Sequence, residues 1–280
     1  MFYHDRRLQR PVTVEKPDPV YARMLQQAIG GVEGEIRVCM QYMFQAFGAR
    51  GPDNKYRDML LHTATEEIGH IEMLAHAVAL NLEKAPTHLQ EEGVKDSLVG
   101  AVMGGENPRH KIEGMIHKNL LSSGMAAMPI DSDGVPFNMS NIYASGNIAA
   151  DMTCNIAAEA TGRVLAVRLF NMAHDEGMKK MLSFLIARDS MHQNQWMAVL
   201  EELGGASAAF PIPNSFPQDA EDTNFSYKFV ATAVDGTFPE GRWTQGASID
   251  GHGEFEVFEH KAMGEEPILC LLYTSDAADE

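Results

Sequence analysis

The sequence predicts an all-α fold. The expected architecture is a four-helix bundle with one long crossover between its second and third helices, followed by an irregular, short-stranded C-terminal extension. Three observations carry that expectation. Four long stretches repeat their apolar residues at helical spacing. Residues that start and stop helices bracket them. The link from residue 87 to about 145 is too long for a simple up-down hairpin between helices.

Residues 1 to about 17 read as an arm, with Pro11 and Pro17 and no apolar period. Asp18-Pro19 is a strong helix start, Asp at the cap and Pro in the first helical position. The first helix is expected over Pro19 to Phe47, ended by Gly48, Gly51 and Pro52. Gly30, Gly31 and Gly34 fall inside it, each costing about 1 kcal/mol against alanine. Close approach of a neighbouring helix is the expected compensation.

Asp53 can cap a second helix over Asn54 to Leu82, with Lys84 and Pro86 as its stop. Leu60, Thr63, Ala64, Glu67, His70, Ile71, Leu74 and Val78 trace one stripe along it. The crossover holds one short amphipathic helix near Pro108 to Leu121, then Gly-, Pro-, Ser- and Asn-rich chain. The third helix runs Ile148 to His174, with Ile148, Met152, Asn155, Ile156, Glu159, Arg163 and Ala166 along one side. Gly177 separates it from the fourth, Met178 to Leu203, whose inward stripe is Leu182, Leu185, Asp189, His192 and Trp196. Gly204 and Gly205 close that helix.

The bundle is thus expected over 18–205 and an extension over 206–269, where Pro211, Pro213 and Pro217 interrupt the chain. Phe225 to Phe229 and Glu254 to Phe258 alternate like extended segments. Residues 270–280 match the translation of a common sequencing-adaptor sequence, so they are set aside as an artefact together with Cys270.

Bulk properties exclude several functions. A chain of 280 residues suits one large domain, or one with an appendage. A net charge of −17 argues against nucleic acid and against anionic membrane surfaces. No run is long enough to span a bilayer, and the N-terminus does not read as a signal peptide, so a cytoplasmic protein is expected. Cys39, Cys154 and Cys270 form no CxxC pair, which leaves neither a disulfide scaffold nor a thiolate zinc site. The 18 methionines read as gap-fillers in helical cores.

The chemistry lies in acids and histidines that interrupt the apolar stripes. Glu67 and His70 are three residues apart, as are Asp189 and His192. On a helix that spacing stacks both side chains on one face. Carboxylate plus imidazole is a donor set for a divalent transition metal. Glu35, between Ala28, Gly31, Cys39 and Tyr42, and Glu159, among Asn155, Ile156, Ala157, Ala158 and Ala160, are acids in small or apolar surroundings. Buried unpaired, each would be costly, and metal ions would remove that cost. For any one residue the plain reading is a salt-bridged or solvent-facing side chain. The set is more specific: Glu, Glu-x-x-His, a long crossover, Glu, then acid-x-x-His, on successive helices. This is the ferritin-like carboxylate pattern.

Within that pattern the chain, from Met1 to about Leu269, resembles the non-haem manganese catalases. The resemblance is carried by Arg6-Arg7-Leu8-Gln9, by Gly30-Gly31-Val32-Glu33-Gly34-Glu35 and by Thr65-Glu66-Glu67-Ile68-Gly69-His70-Ile71-Glu72-Met73. It continues in Ser145-Gly146-Asn147, Asn155-Ile156-Ala157-Ala158-Glu159 and Ala187-Arg188-Asp189-Ser190-Met191-His192-Gln193. It implies a pair of manganese ions that disproportionates hydrogen peroxide to water and oxygen, cycling between two oxidation levels. Glu35 and His70 would ligate one ion, Glu159 and His192 the other, and Glu67 would bridge them. Asp189 would be a proton relay or gate, standing where the family often has a longer Glu beside the solvent bridge. Arg163 and Tyr42 could orient ligands, or simply pack. Some relatives carry Arg where this chain has Ala158. Some bind calcium on the second helix; Asp58 matches one such ligand, but His62 stands one turn on, so calcium is not carried over. The family also suggests a hexamer.

Ligand spacing alone does not separate manganese from iron. A di-iron peroxidase or oxidase of rubrerythrin type would prefer a further ligand at 189 and an electron-donor module. A metal-storage or coat bundle would need no chemistry, and storage would want more acid clusters leading inward. The remaining histidines, among them His4, His76, His174 and His252, fit no comparable pattern.

Overall fold

The computed structural model describes residues 5–50, 55–83, 126–212 and 217–259. Helix α1 spans Pro19–Gly30, α2 Glu35–Gly48, α3 Lys55–Glu83, α4 Ile148–Met172 and α5 Glu176–Glu202. The first unit, Met1–Gly205, holds these five helices. Helix α2 packs mainly on α3, and α4 mainly on α5. The cap expected at Asp53, the short helix expected near 108–121 and the tail 270–280 lie outside the described residues.

The helix starts follow local chemistry. Asp18 accepts hydrogen bonds from the backbone N–H groups of Val20 and Tyr21, both at 3.0 Å, with Pro19 in the first turn. Asn147 caps α4 through Ala149 N–H and Ala150 N–H at 3.1 and 3.2 Å. Asp175 caps α5 through Gly177 N–H and Met178 N–H at 2.8 and 3.2 Å.

Two helix expectations are corrected. The first predicted helix is two, broken at Gly31–Gly34, which leaves Glu35 as the first residue of α2. The glycines there answer to no neighbouring helix. A Cβ on Gly30 would lie 2.4 Å from the backbone of Ile130, where the crossover returns across the end of α1. One on Gly34 would meet the carbonyls of Ala28 and Ile29 at 2.8 Å. Gly177, expected as the separator before the fourth helix, sits inside the first turn of α5. A Cβ on it would approach the Thr13 carbonyl to 2.0 Å, because the N-terminal arm crosses there. The arm is fastened nearby, with Glu15 N–H and Lys16 N–H donating to Asp175 Oδ2.

Gly30→Ala is therefore expected to destabilise the fold by about 1–3 kcal/mol, the usual cost of overpacking against an unyielding neighbour. Thermal unfolding checks it, at about 2–4 °C per kcal/mol for a domain of this size. Gly48→Ala, with no atom within 4 Å of the added carbon, should leave the midpoint unchanged or raise it.

The bundle interior is layered. One apolar cluster holds Leu25, Ile29, Met73, Leu74, Val78, Leu169, Met178, Leu182 and Leu185. The other holds Val38, Tyr42, Leu60, Ala64, Met152, Ala158, Trp196 and Val199. Each of α3, α4 and α5 passes from one cluster to the other, and carries Glu67 and His70, Glu159, or Asp189 and His192 at the crossing level. Four ionisable side chains there, Glu67, His70, Glu159 and His192, are at most 3% exposed. Met73, Met152, Met178 and Met181 are fully buried in the clusters, the gap-filling role expected of them.

The second unit, Ala206–Glu280, holds helix α6 (Ala206–Ala209) and a three-stranded sheet. Strand β1 (Lys228–Ala231) runs parallel to β3 (Glu254–Glu259), and β2 (Gly246–Ala247) pairs antiparallel on its other side. The first of the two expected extended segments starts late, since Phe225 to Tyr227 form a turn.

Candidate metal centre

The structure brings five of the sequence-selected side chains to one point. Glu35, Glu67 and His70 form one triad, and Glu67, Glu159 and His192 a second. Within each triad one donor atom per residue lies within 4.8 Å of the others. Glu67 belongs to both. Its Oε2 lies 2.5 Å from His70 Nδ1 and its Oε1 3.0 Å from His192 Nδ1. Glu159 Oε1 is 3.2 Å from His192 Nδ1, and Glu35 Oε2 is 3.9 Å from His70 Nδ1. Both imidazoles therefore turn Nδ1 toward the carboxylates, with ring centroids 6.1 Å apart.

Three carboxylates and two imidazoles in a near-dry layer need compensation. Internal hydrogen bonds supply only part of it. Glu67 Oε2, His70 Nε2, His192 Nε2 and Asp189 Oδ2 are buried without a well-formed hydrogen bond. One imidazole nitrogen and two carboxylates per triad, one of them shared, suit two neighbouring divalent cations of the manganese or iron kind.

Over residues 1–276 the chain matches the sequence family described as manganese containing catalase. The chain belongs to the manganese catalase family. It is 43% identical to a manganese catalase of Bacillus subtilis (strain 168), over 96% of this chain and 94% of that protein. It is 37% identical to a manganese catalase of Lactiplantibacillus plantarum over 72% of each. The crystal structure of KatB, a manganese catalase from Anabaena, superposes with a TM-score of 0.70 at 22% identity, covering 93% of this chain and all of that one. That likeness supports the ferritin-like bundle. As a manganese catalase family member the chain takes a two-manganese centre, and the paired triads are groups that could hold its ions.

Electrostatics in the cluster follow from burial and crowding. Burial, aided by Glu67, raises the Glu35 carboxyl to about 7. Burial would raise Glu67 too, but the facing His70 and His192 outweigh it and bring Glu67 down to about 2. Burial works to lower His192, yet Glu159, Glu66 and Glu67 push it up to about 12, and His70 is raised well above its ordinary value by Glu67 and Glu35 against the same opposition. Without metal both imidazoles hold their protons at neutral pH. Manganese held there would displace those at Nδ1 and the proton that Glu35 keeps below about 7, so its binding should release about two to three protons per chain and strengthen as pH rises from about 6 to 8. Calorimetric titrations in buffers of unlike ionisation enthalpy read the proton count directly; a count of zero would contradict this arrangement.

Asp189 is buried and stands outside both triads. It lines a cavity of about 20 Å³ with Glu35, Glu159, Ala158 and Gly162. Burial, then the charges of Glu35, Glu159 and Glu67, raise it to about 8. Ala158 bounds the cavity on the α4 side.

Two expected orienting residues behave differently from each other. The Tyr42 hydroxyl donates to Glu159 Oε1, and its ring lies 4.8 Å from that of Trp196. Arg163 does not reach Glu159. It donates to the Ile186 carbonyl at 2.6 Å and Ser190 Oγ at 2.7 Å, tying α4 to α5. Asp58 and His62 line an outer groove and join neither cluster.

The sequence reading missed Glu66 and Arg188. Arg188 Nε and Nη2 bind the Glu66 carboxylate at 2.5 and 3.2 Å, behind the histidines. The i, i+4 spacing of Glu66 and His70 is the one local signal for it.

Proposed function

We propose that this chain disproportionates hydrogen peroxide at two manganese ions, one held by Glu35 and His70, the other by Glu159 and His192, with Glu67 shared. The observation that carries the assignment of residues is the division of Glu67, one oxygen toward each imidazole, in a layer closed by apolar clusters on both sides. When bound, the manganese pair supplies Lewis acidity and the capacity to take up and return two electrons.

The protein supplies the rest. Glu67 fixes the spacing of the two ligand sets, and Tyr42 fixes Glu159 by its hydrogen bond. The cavity beside Glu35, Glu159 and Asp189 has room for about one water-sized molecule, which suits peroxide and excludes larger reductants. Oxidation of one peroxide to oxygen releases two protons, and reduction of another to water consumes two. Asp189, which lines that cavity and whose buried Oδ2 has no hydrogen-bond partner, is the group to hold and return a proton between the half-reactions.

A homo-oligomer, taken to be a hexamer, and a cytoplasmic location complete the reading. No helix among the described residues is long and apolar enough to cross a membrane. Purified protein should contain two manganese per chain and evolve oxygen rapidly from peroxide. Iron-loaded protein that consumes peroxide without releasing oxygen would overturn the assignment in favour of a di-iron peroxidase.

A further inference from the structure

Glu66 has a position that neither triad explains. His70 and His192 present Nδ1 to the ligand carboxylates, so a metal taken there leaves each imidazole with its proton on Nε2. Those two nitrogens converge on one carboxylate. His70 Nε2 lies 3.5 Å from Glu66 Oε1, and His192 Nε2 lies 3.4 Å from Glu66 Oε2. Both nitrogens are buried without a well-formed hydrogen bond, and Glu66 is the acceptor within reach of each. Arg188 grips the same two oxygens from the far side, Nε on Oε1 and Nη2 on Oε2. The arm adds Gln9 Nε2 at 3.4 Å from Oε1.

We propose that Glu66, held by Arg188, is a single positioning residue for both metal-ligating imidazoles, so that the two metal positions are set by one group and fill as a matched pair. This rests on the two-manganese reading above. The reason is symmetry. An ionised carboxylate offers acceptors on both oxygens, so it can receive a proton donor from each imidazole and two more from one guanidinium. No amide can do this. In either orientation, Gln at this position would aim its NH₂ at one imidazole N–H and at one Arg188 N–H. One histidine keeps an acceptor and the other meets a donor.

The consequence is specific to this role. Glu66→Gln should split the two positions, one retaining its affinity and the other losing about 10–100-fold, the usual effect of removing an outer hydrogen-bond partner from a metal ligand. Arg188→Met leaves the carboxylate symmetric but unanchored, so both positions should weaken together. A residue that only filled space or braced α3 against α5 would not distinguish the two substitutions.

The test is manganese titration of apoprotein, read by bound metal and by the electron paramagnetic resonance spectrum, which separates isolated Mn(II) from a coupled pair. Wild-type protein must first take two ions and give the coupled spectrum; failure there overturns the two-manganese reading, and with it this proposal. Given that result, Glu66→Gln is expected to show one tight ion with the spectrum of isolated Mn(II), and Arg188→Met a coupled pair of lower affinity. Two equally tight ions in Glu66→Gln, or an Arg188→Met titration identical to wild type, would overturn the positioning role. Circular dichroism checks that both variants fold. If Glu66→Gln does not, the Arg188→Met titration decides alone, parallel weakening supporting the role and unchanged affinity refuting it.

Discussion

Glu67→Ala should abolish oxygen release and leave the chain unable to hold a pair of manganese ions. Both ligand sets lose a member at once, because Glu67 alone belongs to both triads, its two oxygens 2.5 and 3.0 Å from the Nδ1 atoms of the two imidazoles. Removing one partner of a buried charge pair generally costs about 3–5 kcal/mol. Here two imidazoles, His70 raised in basicity chiefly by this carboxylate and His192 in part, would be left in a layer where Glu67 is 1% exposed. Metal analysis should fall from two ions to fewer than one, and oxygen evolution on an electrode to background. Melting temperature should drop as well, which Glu67→Gln would partly restore without restoring activity. Retention of two ions and of oxygen release in Glu67→Ala would sink the shared-ligand assignment.

Asp189→Asn should behave in the opposite way, keeping its metal and losing its rate. Asp189 joins neither triad, so manganese content should stay at two per chain. It lines the small cavity and its Oδ2 is buried and unpartnered, so what disappears is a proton acceptor. Loss of a positioned acid–base group usually lowers turnover by about 10²–10⁴-fold. The pH profile adds a second readout. The group must be ionised to accept a proton, so wild-type turnover should fall as pH drops through its pKa. Burial and the neighbouring carboxylates raise that value toward 8, and bound cations would draw it down again. The acid limb should be missing from the Asn variant and present in Asp189→Glu. If Asp189→Asn loses metal in proportion to activity, residue 189 is a ligand and the relay role fails.

Much of the site was legible because helical periodicity is a local property. Glu67, His70, Glu159, Asp189 and His192 could be placed on inward faces from spacing alone, since α3, α4 and α5 run without interruption through them. What was misread depended on chain brought from elsewhere. The glycines at 30 and 177 looked like costs inside or between helices; each is set by a distant backbone, Ile130 or Thr13, that local pattern does not encode. Arg163 was open between orienting a ligand and packing, and its length carries it to α5. The pairing of Glu66 with Arg188 joins residues 122 positions apart, so no spacing rule could propose it. The family resemblance supplied what spacing could not, the choice of manganese.

The break between α1 and α2 gives the centre an unequal frame. Glu67, His70, Glu159 and His192 are carried mid-rod, where a ligand atom can shift its backbone only by dragging several turns of packed helix. Glu35 is carried at a joint, on the first residue after Gly31–Gly34, with no preceding helical turn to hold it. With the ions held as proposed, Glu35 is the one ligand whose backbone is set by a tight turn, packed against Ile130 and the end of α1, rather than by the helix that precedes it.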